Sequence, residues 1–151
     1  MTVAARIIGC GTWHRGDDAA GLLVARLLRE RGIDAIEHTG DGLALLDAWQ
    51  GAEEVILIDA VVTGAAAGAV SRWNGTAPVA GDPGRASSHA FGVAEAVQLA
   101  RALGKLPPHF VMYGIEAACF VLGGEPSPEV VAAAHRVAGE LVTSASRPAS
   151  S

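Results

Sequence analysis

The chain has 151 residues, half of them hydrophobic, which suits one domain whose core needs no disulfide or metal staple. Sixteen acidic residues stand against 11 basic ones and aromatics make up 5%, so there is no basic stripe or stacking platform, and no nucleic acid partner is expected. No apolar run approaches the roughly 20 residues of a membrane span, the first residues lack an export-signal pattern, and Cys10 and Cys119 form no CxxC, so a soluble protein of the reducing cytoplasm with no membrane partner is expected.

In chain order, "VAARIIG" reads as a first strand, and "DAAGLLVARLLRERG" as a helix opened by aspartate and stopped at Gly32. "IDAIEH" is a second strand and "GLALLDAWQ" a short helix. "EVILIDAVV" has the nearly unbroken apolar run of a strand covered on both faces, with Asp59 at its carboxyl end. "AGAVSRWN" fits an edge strand, followed by the long Gly/Pro/Ser-rich loop "GTAPVAGDPGRASS", which delivers the chain to His89. "HAFGVAEAVQLARALG" has helical spacing, "HFVMYGIEA" is the last strand, and a final helix opens with Ser127 as cap and Pro128 in its first turn. This alternation predicts an α/β fold, a three-layer α/β/α sandwich around a mostly parallel twisted sheet of about five strands. It occupies one domain over residues 1–145, with residues 146–151 as a disordered tail.

The segment "IIGCGTWHRGDDAAG" needs a separate explanation. A strand, a glycine turn and a helix together make a phosphate cradle, because backbone N–H groups and the positive helix end favour an anion. Gly11 and Gly16 have the Walker A spacing, but Asp17 and Asp18 stand where the phosphate-binding Lys and the magnesium-binding hydroxyl would be. The dinucleotide fingerprint also fails, since His14 stands where its last glycine is required. A turn that repels phosphate attracts a cation instead.

In an open α/β sheet, ligands bind beyond the carboxyl ends of the strands, where Asp18 and Asp59 are both expected. If the long loop returns His89 to the same side, two carboxylates and an imidazole converge, a set suited to nickel, zinc or iron with open coordination positions. Each residue also has a structural explanation. Asp17 or Asp18 can cap the helix, Asp59 can cap the turn after its strand, and His89 can be a surface or first-turn histidine. His14 has at most an auxiliary role. His38, His109 and His135 read as structural or solvated, and Cys119 as a small core residue.

The ordered set "GCGTWHRGDDAAG", "VILIDAV", "SSHAFGVAEAVQLA" and "GIEAACFVLGGEPSPEV" resembles the hydrogenase maturation endopeptidases, which trim the large subunit of nickel-iron hydrogenases. The resemblance spans most of the chain. It implies that Asp18, Asp59 and His89 are the metal-binding and catalytic positions. It also implies nickel as the metal, carried by the substrate precursor, with other divalent ions able to substitute. The partner implied is the precursor of a nickel-iron hydrogenase large subunit, from which a C-terminal extension is removed after nickel insertion. Several positions depart from the family pattern. Thr12 replaces a usual Asn and Ala19 a common Gly. The segment His38 to Gly42 reads "HTGDG" where an Asp-Gly-Gly-type loop associated with substrate recognition is often found, with Thr39 nearest to the aspartate position and Asp41 displaced. "GIEAA" lacks a proline common after the acidic residue. Two other classes remain: a non-catalytic α/β module that binds a metal or a precursor, and a stand-alone metallohydrolase acting on small molecules.

Overall fold

Val55, Leu57 and Ile58 are wholly excluded from solvent, so the central apolar run is buried from both sides. They belong to β3 (Glu54–Val61), which pairs in parallel with β1 (Arg6–Cys10) on one side and with β5 (His109–Glu116) on the other. The protein is described by a computed structural model over residues 5–74 and 93–146. β2 (Ile36–His38) adds in parallel outside β1, and β4 (Val70–Asn74) runs antiparallel outside β5, giving the order β2-β1-β3-β5-β4. The expected architecture of a mostly parallel, five-stranded sheet is therefore the observed one.

Alternating residues sort onto the two faces. Ile7, Ile58 and Ile115 face α1 (Ala20–Glu30) and α4 (Pro128–Ser146), whereas Ile8, Leu57 and Met112 face α2 (Gly42–Trp49) and α3, described over Val93–Ala102. Trp49 of α2 meets Phe110 edge-to-face with centroids 5.1 Å apart, an arrangement favoured by the ring quadrupoles. Within α1, buried Gly21, Val24, Ala25 and Leu28 recur at helical spacing and form one stripe against the sheet. α4 reaches Ser146, the first residue of the anticipated tail; the rest of that tail lies outside the described residues.

The start of α1 lies unusually close to the strands. A Cβ at Gly21 would stand 2.3 Å from the Ile58 carbonyl oxygen and 2.4 Å from that of Cys10, and one at Gly9 would stand 2.1 Å from the Gly21 carbonyl oxygen. Glycine at both positions lets helix and sheet backbones touch. The glycine-rich segment therefore serves helix–sheet packing, and it sets the acidic turn just before α1 directly over the carboxyl ends of β1 and β3.

Candidate active site

Asp59 lies at the carboxyl end of β3, in phase with Val55 and Leu57 and so on the α2/α3 face. Its Oδ1 accepts a hydrogen bond from the Ala60 N–H at 2.9 Å. The side chain keeps some solvent contact at the open edge, yet enough protein surrounds it for desolvation to dominate its chemistry. Burial first, and then the charge of Asp18, push its pKa up to about 8, with the Ala60 hydrogen bond opposing.

Asp18 reaches this corner from a tight 3-10 turn, Gly16–Ala19, that precedes α1. Neither the turn nor α1 has a side-chain N-cap, so the expectation that Asp17 or Asp18 opens the helix as a cap is not met. Asp17 has another task. Wholly buried, its carboxylate accepts from the backbone N–H groups of Ala118 at 2.8 Å, Cys119 at 3.1 Å and Ser127 at 2.6 Å, and from the Ser127 hydroxyl at 2.9 Å. Its own N–H donates to the Cys119 carbonyl at 2.8 Å. These bonds tie the turn to the segment after β5 and orient its neighbour Asp18, which is 7% exposed. Gly11, at φ 150°, completes the arrangement: a Cβ there would lie 1.9 Å from the Asp18 carbonyl oxygen, the group that accepts from the Thr12 N–H at 3.2 Å.

Cys10 completes the buried edge of this corner. Burial, followed by the charges of Asp59 and Asp18, holds its thiol well above the ordinary range, so it stays protonated. In register beside Cys10 on β2 is His38, whose Nδ1 accepts from the Gly40 N–H at 2.9 Å and whose pKa is lowered, chiefly by burial. Among the described residues no three His, Cys, Asp or Glu side chains are grouped to hold a metal ion. The third member of the anticipated set, His89, lies outside the described residues, as does the Gly/Pro-rich loop leading to it.

The remaining anticipated residues separate clearly. His14 is exposed with φ 64°, and its carbonyl accepts from the Gly123 N–H. His109 and His135 are exposed. Cys119 is exposed rather than a core residue, because the chain turns outward after β5 and uses the Cys119 backbone, not its side chain, against Asp17. Asp41, the displaced aspartate of "HTGDG", caps α2 by accepting from the Leu43 N–H at 3.1 Å. Ser127 does open α4, through its carbonyl, while its hydroxyl is given to Asp17. The stapling role of Asp17 had no signal in local spacing, nor did that of Glu116. The latter is 2% exposed and accepts from the Thr63 N–H at 2.9 Å and the Thr63 hydroxyl at 2.6 Å, holding the loop that follows β3.

A doubly covered, mostly parallel sheet with two interacting carboxylates at its carboxyl edge defines an α/β/α protein with an acidic corner at the ligand edge of the sheet. The family model described as HycI, hydrogenase maturation protease, matches residues 22–144, and the chain belongs to the hydrogenase maturation protease family. Among proteins of curated function none matches the sequence. Solved structures do. The [NiFe] hydrogenase maturation protease HybD from Thermococcus kodakarensis is similar at 25% identity and a TM-score of 0.71, over 96% of this chain and 100% of that one. The hydrogenase maturating endopeptidase HybD from E. coli shares the fold with a TM-score of 0.74 at 17% identity, over 94% and 91% of the two chains. The HycI protease of T. kodakarensis gives 0.65 at 23%, over 92% and 91%. The chain is thus a peptidase by family. No helix among the described residues is long and apolar enough to cross a membrane.

Proposed function

We propose that this protease removes a C-terminal extension from the precursor of a nickel-iron hydrogenase large subunit, in the cytoplasm, once nickel has been installed. Nickel enters as part of the substrate, held by the precursor, and Asp18, Asp59 and His89 complete its coordination. The observation that carries this reading is the convergence of Asp18 and Asp59 from separate elements, near enough for the charge of one to raise the pKa of the other. Two like charges in a poorly solvated corner are a site for a cation, and carboxylates with an imidazole suit nickel.

When bound, the ion supplies Lewis-acid polarisation of the scissile carbonyl or of the attacking water. The chain's own residues do the rest. Asp17 holds the turn so that the charge of Asp18 reaches Asp59, and the protonated Cys10 thiol beneath adds no charge to the corner. Without a cation, the pKa of about 8 keeps Asp59 largely protonated at neutral pH, so a bound cation would displace that proton and leave the carboxylate free to coordinate it or to act as general base.

A second reading, a precursor-binding module that does not cut, is favoured by the His38 to Gly42 segment, where the carboxylate of Asp41 is used to cap α2. A gel-shift processing assay on a cognate large subunit, with and without nickel, separates the readings. Wild type should cut only the loaded precursor, and Asp59→Asn should slow cutting by about a hundredfold or more while circular dichroism stays unchanged. Equal cutting with and without nickel would refute the gate. No cutting together with tight precursor binding would favour the module.

A further inference from the structure

Trp13 lies in the glycine turn, away from either core cluster, yet it is held from several directions. Its Nε1 donates to Glu37 Oε1 at 2.8 Å, and the Arg26 guanidinium lies over the ring, 4.2 Å from the centroid. Glu37 is paired in turn with Arg29, which also donates to the Ala35 carbonyl at 3.1 Å. The Trp13 side chain borders an open, apolar depression of about 240 Å³ that Leu22, Thr12, His38 and Thr39 also line. Because Glu37 already accepts from Trp13 and Arg29, the face offered to a guest is largely ring and aliphatic carbon.

The depression adjoins the acidic corner. Thr12 donates to the Asp18 carbonyl, and His38 is paired in register with Cys10, whose thiol feels Asp18 and Asp59. At about 240 Å³ it falls below the roughly 300 Å³ at which pockets for whole small molecules begin, so a single side chain is the guest it suits. A polypeptide cut at the Asp18/Asp59 corner has to cross this edge of the sheet, which would bring a residue near the scissile bond within reach of the Trp13 depression.

We propose that the Trp13 depression is a specificity subsite that receives one aliphatic side chain of the polypeptide substrate near the cleaved bond. The proposal rests on the reading that cleavage occurs at the Asp18/Asp59 corner. Trp13 touches the substrate side chain, and Arg26 and Glu37 keep the indole in place, so the subsite is stiff before the substrate arrives.

The test uses the full chain and nickel-loaded precursor, with wild type, Trp13→Ala and Trp13→Phe, against precursors carrying single alanine replacements at the residues flanking the cleaved bond. Trp13→Ala should raise KM about tenfold with little change in kcat, and Trp13→Phe should restore most of that loss. At one substrate position the alanine replacement should cost wild type a similar factor but cost Trp13→Ala almost nothing, because the two changes remove the same contact. Unchanged KM in a folded Trp13→Ala protein would overturn the subsite, as would substrate effects that simply multiply with the enzyme change. If wild type leaves every precursor intact, the cleavage reading fails on its own, and the depression is judged by binding of a peptide that spans the carboxyl-terminal region of the precursor. Binding about tenfold weaker to Trp13→Ala would then support it, and equal binding would overturn it.

Discussion

The Asp17 carboxylate and the Ser127 backbone N–H meet at 2.6 Å across 110 residues of chain. This contact, with those to Ala118 and Cys119, joins the acidic turn to the start of α4 and makes one edge of the protein rigid where Asp18 emerges.

Replacing Asp17 with Ala takes the carboxylate acceptor from three part-buried backbone donors and should cost about 2 kcal/mol, read from urea unfolding midpoints. Processing should fall as well, because Asp18 loses its orientation. A stability change below ~1 kcal/mol would show that these bonds are dispensable.

The pKa of about 8 at Asp59 makes the stability of the metal-free protein depend on pH. The unfolded carboxyl ionises near 4 and the folded one near 8, so between these values the folded state holds the extra proton and stability falls as pH rises. Asp59→Asn cannot ionise. In chelator its stability advantage over wild type should be near zero at pH 4 and grow to a few kcal/mol by pH 8. A difference independent of pH would contradict the assignment.

The two thiols should react at different rates. Cys119 is exposed, whereas Cys10 is buried and held protonated, so a disulfide reagent should titrate one thiol quickly in the native protein and both in denaturant. Two fast thiols would mean that the β1 end opens readily.

Gly21→Ala forces a Cβ to within 2.3 Å of the Ile58 carbonyl and should destabilise by roughly 3 kcal/mol or more. Gly139→Ala in α4, where a Cβ meets nothing within 4 Å, should stabilise by about 0.5–1 kcal/mol. Thermal unfolding of the pair isolates the close helix–sheet contact from helix propensity.

Nickel should bind the isolated protein weakly and exchangeably, since three N/O ligands leave the coordination shell incomplete. Calorimetry should show lower affinity for His89→Ala and for Asp59→Asn. Wild-type affinity in either variant would remove that residue from the ligand set.

Much of this protein is legible in its sequence because the controlling forces are local. The run from Val55 to Ile58 declares a doubly covered strand, the stripe Gly21, Val24, Ala25 and Leu28 declares a helix with one buried face, and strand–helix alternation declares the layers. Asp59 at the end of such a strand is thereby marked for the ligand edge. Only the tertiary structure decided that β4 joins the sheet antiparallel, that Asp17 is a staple while the charge of Asp18 reaches Asp59, that Cys119 turns outward, and that Trp13 borders an apolar depression. The physical reason is distance along the chain. Periodicity records which face of an element is dry, but a carboxylate held by backbone donors 101 to 110 residues away leaves no trace in the spacing of its neighbours.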